Sequence, residues 1–180
     1  MNDIAASSST EMKLVAEAFI RSTSQLADSS TNADIAAYLS QCSDGQMKGV
    51  LANVNGIYHE LIFMHAEEYD ENSITAAIFK DTNHPGTDVG FMVDSEVIGQ
   101  VQLKAVMDKN LILEHFGKFS DIDVYATSDV ASQLLNVKNS DFSNHDLHEN
   151  VAGFVAEIGV NDTIGTKQQS CLSQILSDEN

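Results

Sequence analysis

The chain has 180 residues, 43% of them hydrophobic, which suits one domain of common size with a real core and argues against disorder of the whole. Twenty-seven acidic residues against nine basic ones give a net charge of −18, and a surface of that sign repels polyanions unless basic residues are concentrated in one place. No apolar run reaches about 18 residues, and the start MNDIAASSST has neither a basic nor an apolar targeting region, so the chain is expected to be soluble, unexported and cytoplasmic, with no membrane partner.

Residues 1–45 are expected to form an N-terminal helical extension. Ser8-x-x-Glu11 has the spacing of a capping box, opening a helix through about Leu26 with Met12, Val15, Phe19 and Leu26 as its apolar stripe. A shorter helix over 33–42 follows, with Thr31 or Asn32 as N-cap. The main α/β core is expected over 46–138. It opens with a long helix to about Glu68, in which Val50, Val54, Ile57, Leu61 and His65 recur at helical spacing. Strands are predicted over 73–79, 89–93 and 97–105, a helix over 108–119, a strand over 122–126 and a helix over 128–135. That order predicts an α/β (α+β) fold, a mixed central sheet of about four strands flanked by helices. Residues 139–180, rich in Asn, Ser, Asp and His at the start, are expected to be a polar and helical extension with a helix over 148–159.

The stretch NHPGTDVGFMVDSEVIGQVQLKA carries the chemistry. With Asp94-Ser95-Glu96 as a three-residue connection, Val93 and Val97 close an antiparallel hairpin, so Met92 faces Ile98, Gly90 faces Gln100 and Asp88 faces Gln102. Alternation then places Asp88, Gln102 and Lys104 on one face and Val89, Phe91, Val93, Val97, Val101 and Leu103 on the other. Opposed Cβ atoms lie about 4.5–5.5 Å apart, so Asp88 and Gln102 could reach one cation with Lys104 beside them. A carboxylate and an amide oxygen are hard ligands suited to Mg²⁺, and a neighbouring ammonium suits the charge that grows on a phosphoryl group. Pro85-Gly86 allows the backbone to approach closely just before Asp88. Without a cation, the same three residues read as the solvated side of an ordinary hairpin.

Over about 47–127 the chain resembles the restriction-endonuclease-like, or PD-(D/E)xK, nuclease superfamily. The residues that carry the resemblance are NGIYHELIF on the leading helix, PGTDVGF on the hairpin, and VQLK followed by a helix and a further strand. The resemblance implies a restriction-endonuclease-like core with Mg²⁺ or Mn²⁺ as cofactor. Asp88 would be the metal-binding aspartate, Gln102 would stand where the family usually has Glu or Asp, Lys104 would be the catalytic lysine, and Glu60 would supply an extra metal-binding acid. It implies a metal-dependent phosphodiester hydrolase acting on nucleic acid.

Other features point elsewhere. The acidity fits solubility, or a salty cell, or an interaction surface for a basic protein partner; the alternative function is therefore a non-catalytic inhibitor, immunity or assembly factor on the same fold. Nucleic acid as a partner is disfavoured by the net charge, although Lys104, Lys109 and Lys118 fall within fifteen residues. His145 and His148 lie three apart and could share a metal on a helix, but no third ligand is identifiable by spacing. His59 would approach the proposed site, and His84 could contact a phosphate; neither is assigned a role. Cys42 and Cys171 lack CxxC spacing, which removes support for a disulfide framework or a cysteine zinc site, and Ser170-Cys171 lacks a partner for nucleophilic catalysis. No GxxxxGK[ST] or GxGxxG motif is present.

Overall fold

The computed structural model describes residues 2–70, 72–79 and 86–159, with side chains from residue 9 onward. His84, Pro85, Ser170 and Cys171 lie outside the described residues. The chain divides into two compact units, Met1–Tyr58 with Leu147–Asn180, and His59–Asp146. These divisions fall later than the predicted boundaries at 45 and 138. Among the described residues no helix is long and apolar enough to cross a membrane.

The first unit is helical. It holds α1 (Asn2–Ser22), α2 (Asn32–Gln41), the first part of α3 (Asp44–Glu68) and most of α6 (Asn144–Ile158). Helix α1 begins at Asn2, so Ser8 lies within it and not at the expected cap. Leu26 is buried beyond its end. Helix α2 has the reciprocal cap that a Thr-x-x-Asp spacing permits: Thr31 Oγ1 accepts from the Asp34 N–H at 3.3 Å, and the Asp34 carboxylate accepts from the Thr31 N–H at 2.7 Å. The Thr31 N–H, and after it the Thr31 hydroxyl, both donating to the carboxylate, hold the Asp34 carboxyl below its ordinary range. Val15, Phe19, Ile35, Leu39, Leu51 and Val54 are buried, and the Phe19 ring stacks on Phe154 with centroids 5.6 Å apart.

The second unit carries the sheet: β1 (Thr75–Ile78), β2 (Val89–Val93), β3 (Glu96–Lys104), β4 (Asp123–Ala126) and β5 (Lys138–Asn139), in that spatial order. Strands β1, β2 and β3 form an antiparallel meander, whereas β4 runs parallel to β3 and β5 parallel to β4. The parallel steps need crossovers, supplied by α4 (Lys109–Lys118) and the single turn α5 (Ser128–Ala131). The sheet is thus mixed and flanked by helices, as expected, with a fifth strand added.

The hairpin differs from expectation at its tip and agrees at its base. Asp94 (φ 50°) and Ser95 (φ 69°) are both left-handed, so the connection has two residues and Val93 pairs with Glu96. Such turns match the twist of the flanking strands, which favours them over the three-residue alternative. An irregularity between Phe91 and Met92 then absorbs the one-residue difference, and Gly90↔Gln100 and Val89↔Val101 stand in the expected register. Val97 and Ile98, 55% and 58% exposed, are turned out to solvent; Val97 does not join the apolar face.

Alternation along β3 and β4 gives the sheet two different faces. Val89, Val101 and Leu103 pack with Phe63 of α3, Phe91 and Tyr125, and the Phe63 and Tyr125 rings lie 5.3 Å apart. On the opposite face Val124 and Ala126 pack with Ile112 of α4 and with Val130 and Ala131 of α5. The register Gln102↔Val124 and Lys104↔Ala126 puts Gln102 and Lys104 on this second face, under α4.

His59 is fully buried on α3, its Nε2 2.8 Å from Ser140 Oγ and its ring edge-on to Phe142 at 6.2 Å. Burial pushes its pKa from 6.5 down to about 4. Between those values the unfolded chain binds a proton at this imidazole that the folded chain refuses, so stability falls as pH falls through that window. A shift of that size is worth on the order of 3 kcal/mol. In urea melts at pH 7 and pH 4.5, His59→Gln is expected to lose less stability on acidification than the wild type, by about 2 kcal/mol. Equal losses would show that the buried imidazole is not the acid-sensitive group.

Candidate active site

Asp88 sits where the chain enters β2. Its N–H donates to the Val101 carbonyl at 2.9 Å and its carbonyl accepts from the Phe79 N–H at 3.3 Å, so its backbone is held between β1 and β3. The approach requires Gly86: its φ is +81°, and a Cβ there would lie 2.8 Å from the Phe119 ring. Asp88 is thereby presented at the mouth of the hairpin, two residues after the glycine that Phe119 packs against.

The Asp88 carboxylate meets Gln102, as the hairpin register predicts. Gln102 Nε2 donates one hydrogen to Asp88 Oδ2 and the other to the Leu103 carbonyl at 3.1 Å, while the Leu103 N–H donates to the same carboxylate oxygen at 2.9 Å. A side-chain oxygen thus takes the place of a ladder carbonyl at the end of the strand pair. Gln102 is only 7% exposed. The face expected to be wet is therefore covered, and the solvated-hairpin reading of Gln102 does not hold.

Lys104, half-buried, lies two residues along on the same face, and its carbonyl accepts from the Thr127 N–H at 3.3 Å. Helix α4 crosses this face with Ile112 against Ala126, and one turn further brings His115, 7% exposed. His115 Nε2 is buried without a hydrogen-bond partner among the described residues. Its ring lies 5.1 Å from Phe119 and 6.3 Å from Phe116. Burial first, then the charges of Lys104 and Lys118, hold its pKa below the ordinary value. Sequence reasoning gave His115 no part in the site, although Ile112, His115 and Phe119 follow one another at helical spacing on a buried stripe.

Glu60 is placed differently. It is half-buried on α3, three residues before Phe63, and Phe63 packs on the face opposite Gln102. Asp88 and Gln102 are brought into contact, and Lys104 shares the sheet face of Gln102; Glu60 stands on the helix that covers the other side of the sheet. His59, expected to approach the site, is instead engaged by Ser140. That Ser-His pair is too buried for a substrate to reach, which argues against acyl chemistry there. His145 and His148 fall on α6, and no group of three or more His, Cys, Asp or Glu side chains that could hold a metal occurs among the described residues.

The donors of the Asp88–Gln102 pair fit a hard cation that keeps most of its waters. One carboxylate and one amide oxygen suit Mg²⁺ or Mn²⁺, which take few protein ligands, and do not suit Zn²⁺, which prefers nitrogen and sulfur. The amide gives its nitrogen to the carboxylate; turning its last torsion by about half a revolution, a broad two-fold rotation, would bring the oxygen to that side. No family model, curated protein or solved structure matches this chain.

Proposed function

We propose that this chain is a metal-dependent phosphodiester hydrolase acting on nucleic acid, of the PD-(D/E)xK kind. The observation that carries the reading is the direct contact of Asp88 with Gln102, with Lys104 on the same sheet face. The element order supports it: a helix, an antiparallel three-stranded meander, a helix and a strand parallel to the third. Mg²⁺ or Mn²⁺, when bound, would polarise a phosphoryl oxygen and acidify a water. Asp88 supplies the carboxylate oxygen for that cation, and the Leu103 N–H fixes the carboxylate's orientation. Gln102 supplies an amide oxygen after rotation. Lys104, on the same sheet face, would supply an ammonium to hold the attacking water or donate to the oxygen that gains charge. A specific observation favours a second reading, a non-catalytic acidic protein that binds a basic partner: residue 102 is neutral and the chain carries −18.

The test is incubation with single- and double-stranded DNA and RNA, with and without Mg²⁺ or Mn²⁺, beside Asp88→Ala and Lys104→Ala. Metal-dependent cleavage that Asp88→Ala abolishes and Lys104→Ala slows by at least about a hundredfold is the expected result. No cleavage by the wild type, or cleavage that neither substitution slows, removes the catalytic reading.

A further inference from the structure

The first unit holds a pocket of about 440 Å³ where the end of α1, the end of α2 and the first half of α3 meet, a volume usual for a small-molecule site. Seven of its ten lining residues carry a hydroxyl or a carboxamide and none carries a charge, although one residue in five of the chain does. Such a lining offers no counter-ion to a phosphate, a carboxylate or an amine, so it favours uncharged ligands. The protein's own bonds orient the amides. Asn53 gives Nδ2 to the Ser22 carbonyl at 3.1 Å, which ties α3 to the end of α1, and Gln41 gives Nε2 to the Ala37 carbonyl at 3.1 Å. Gln46 Oε1 accepts from the Ser43 N–H at 2.9 Å and from its hydroxyl at 2.8 Å. What remains for a ligand is an acceptor oxygen on Asn53 and on Gln41 and a donor nitrogen on Gln46. Donors and acceptors of fixed kind beside one half-buried aromatic ring, that of Tyr38, match a flat heterocycle whose edge alternates the two.

We propose that this pocket binds an uncharged nucleobase or nucleoside, its ring against Tyr38 and its edge paired with the amides of Gln41, Gln46 and Asn53. The proposal goes beyond the hydrolase reading, since it concerns the first unit and needs neither the Asp88–Gln102 pair nor a metal. Two lining residues make it testable. Gly49 lies inside α3, and a Cβ built there meets no atom within 4 Å, so a side chain can be added into the pocket without displacing the protein. Cys42, half-buried in the lining, carries a thiol that a bound ligand would shield.

The experiment is calorimetry of the full chain in EDTA with adenosine, guanosine, cytidine and uridine, joined to alkylation by iodoacetamide read at the Cys42 peptide by mass spectrometry. At least one nucleoside is expected to bind and to slow alkylation of Cys42, and its 5′-monophosphate to bind about tenfold more weakly, because nothing in the lining pairs the added charge. Gly49→Leu should abolish binding while melting no lower than the wild type, since leucine is the better helix former. Gln41→Met should weaken binding about three- to tenfold, the cost of one hydrogen bond. Gln133→Met is the matched control: Gln133 Nε2 donates to the Asp129 carbonyl at 2.9 Å, four residues back, as Gln41 does to Ala37, but Gln133 does not line the pocket. That variant should bind as the wild type does. No binding by any of the four nucleosides, binding that leaves Cys42 alkylation unchanged, binding that survives Gly49→Leu, or an equal loss in Gln133→Met overturns the site. Equal protection of Cys42 by glucose, or equal affinity for the monophosphate, overturns the choice of an uncharged heterocycle.

Discussion

Lys104→Ala is expected to slow metal-dependent phosphodiester cleavage by about 10²–10³-fold, the usual cost of losing one donor aimed at developing charge. The fold should survive the change. What Lys104 gives the structure is its backbone, a ladder partner for Ala126 and a carbonyl for the Thr127 N–H, and alanine keeps both. Stability is expected to stay within about 0.5 kcal/mol, the range for side chains outside a packed core. Lys104→Arg should fall between the two, because a planar fork replaces a compact ammonium and places its charge elsewhere. Initial rates with Mg²⁺, read beside thermal melts, check this. A rate within threefold of wild type for Lys104→Ala would take the ammonium out of the chemistry.

Gln102→Glu is expected to have the largest effect on stability, and its sign should depend on metal. In wild type the Gln102 amide donates both of its hydrogens, one to the Asp88 carboxylate and one to the Leu103 carbonyl. A carboxylate in its place donates neither and sets a second negative charge against Asp88 in a site that is only 7% exposed at residue 102. The metal-free variant should lose about 2–4 kcal/mol, from the lost charge-assisted bond and the buried like charges. Part of that loss should return as pH falls, because two carboxylates in contact share a proton and one of them titrates high. Added Mg²⁺ should stabilise the variant by about 3 kcal/mol at a hundredfold excess over its dissociation constant, and the wild type by much less. Melts with EDTA and with Mg²⁺ decide it. If Mg²⁺ shifts neither protein, Asp88 and residue 102 do not flank a cation position.

Much of the fold was legible because short-range chemistry specified it. Thr31 and Asp34 announce the start of α2, and the period-2 run from Val97 to Lys104 announces β3 with Leu103 inward and Gln102 on the reverse side. What period-2 alternation cannot register is a second buried face. Polar Gln102 and Lys104 suggest water on their side, yet the crossover between parallel strands must lie somewhere, and α4 lies over that side. Strand β5 was missed because two exposed residues, Lys138 and Asn139, carry no pattern; their pairing is set by β4 beside them. Glu60 followed helical spacing correctly, but spacing places a residue on a helix edge without saying which face of the sheet the helix covers.

The irregularity between Phe91 and Met92 gives the hairpin a slip joint. Pairing beyond it, towards Asp94 and Ser95, runs one residue out of step with pairing below it, yet Val89, Gly90 and Phe91 keep their partners. The geometry of the tip is therefore decoupled from that of the mouth. A change in loop length of one residue can be taken up in the joint, leaving Asp88 and Gln102 in contact. The two exposed residues just beyond the turn, Val97 and Ile98, are accordingly the part of the hairpin on which new surface properties can be built without disturbing the pair beneath.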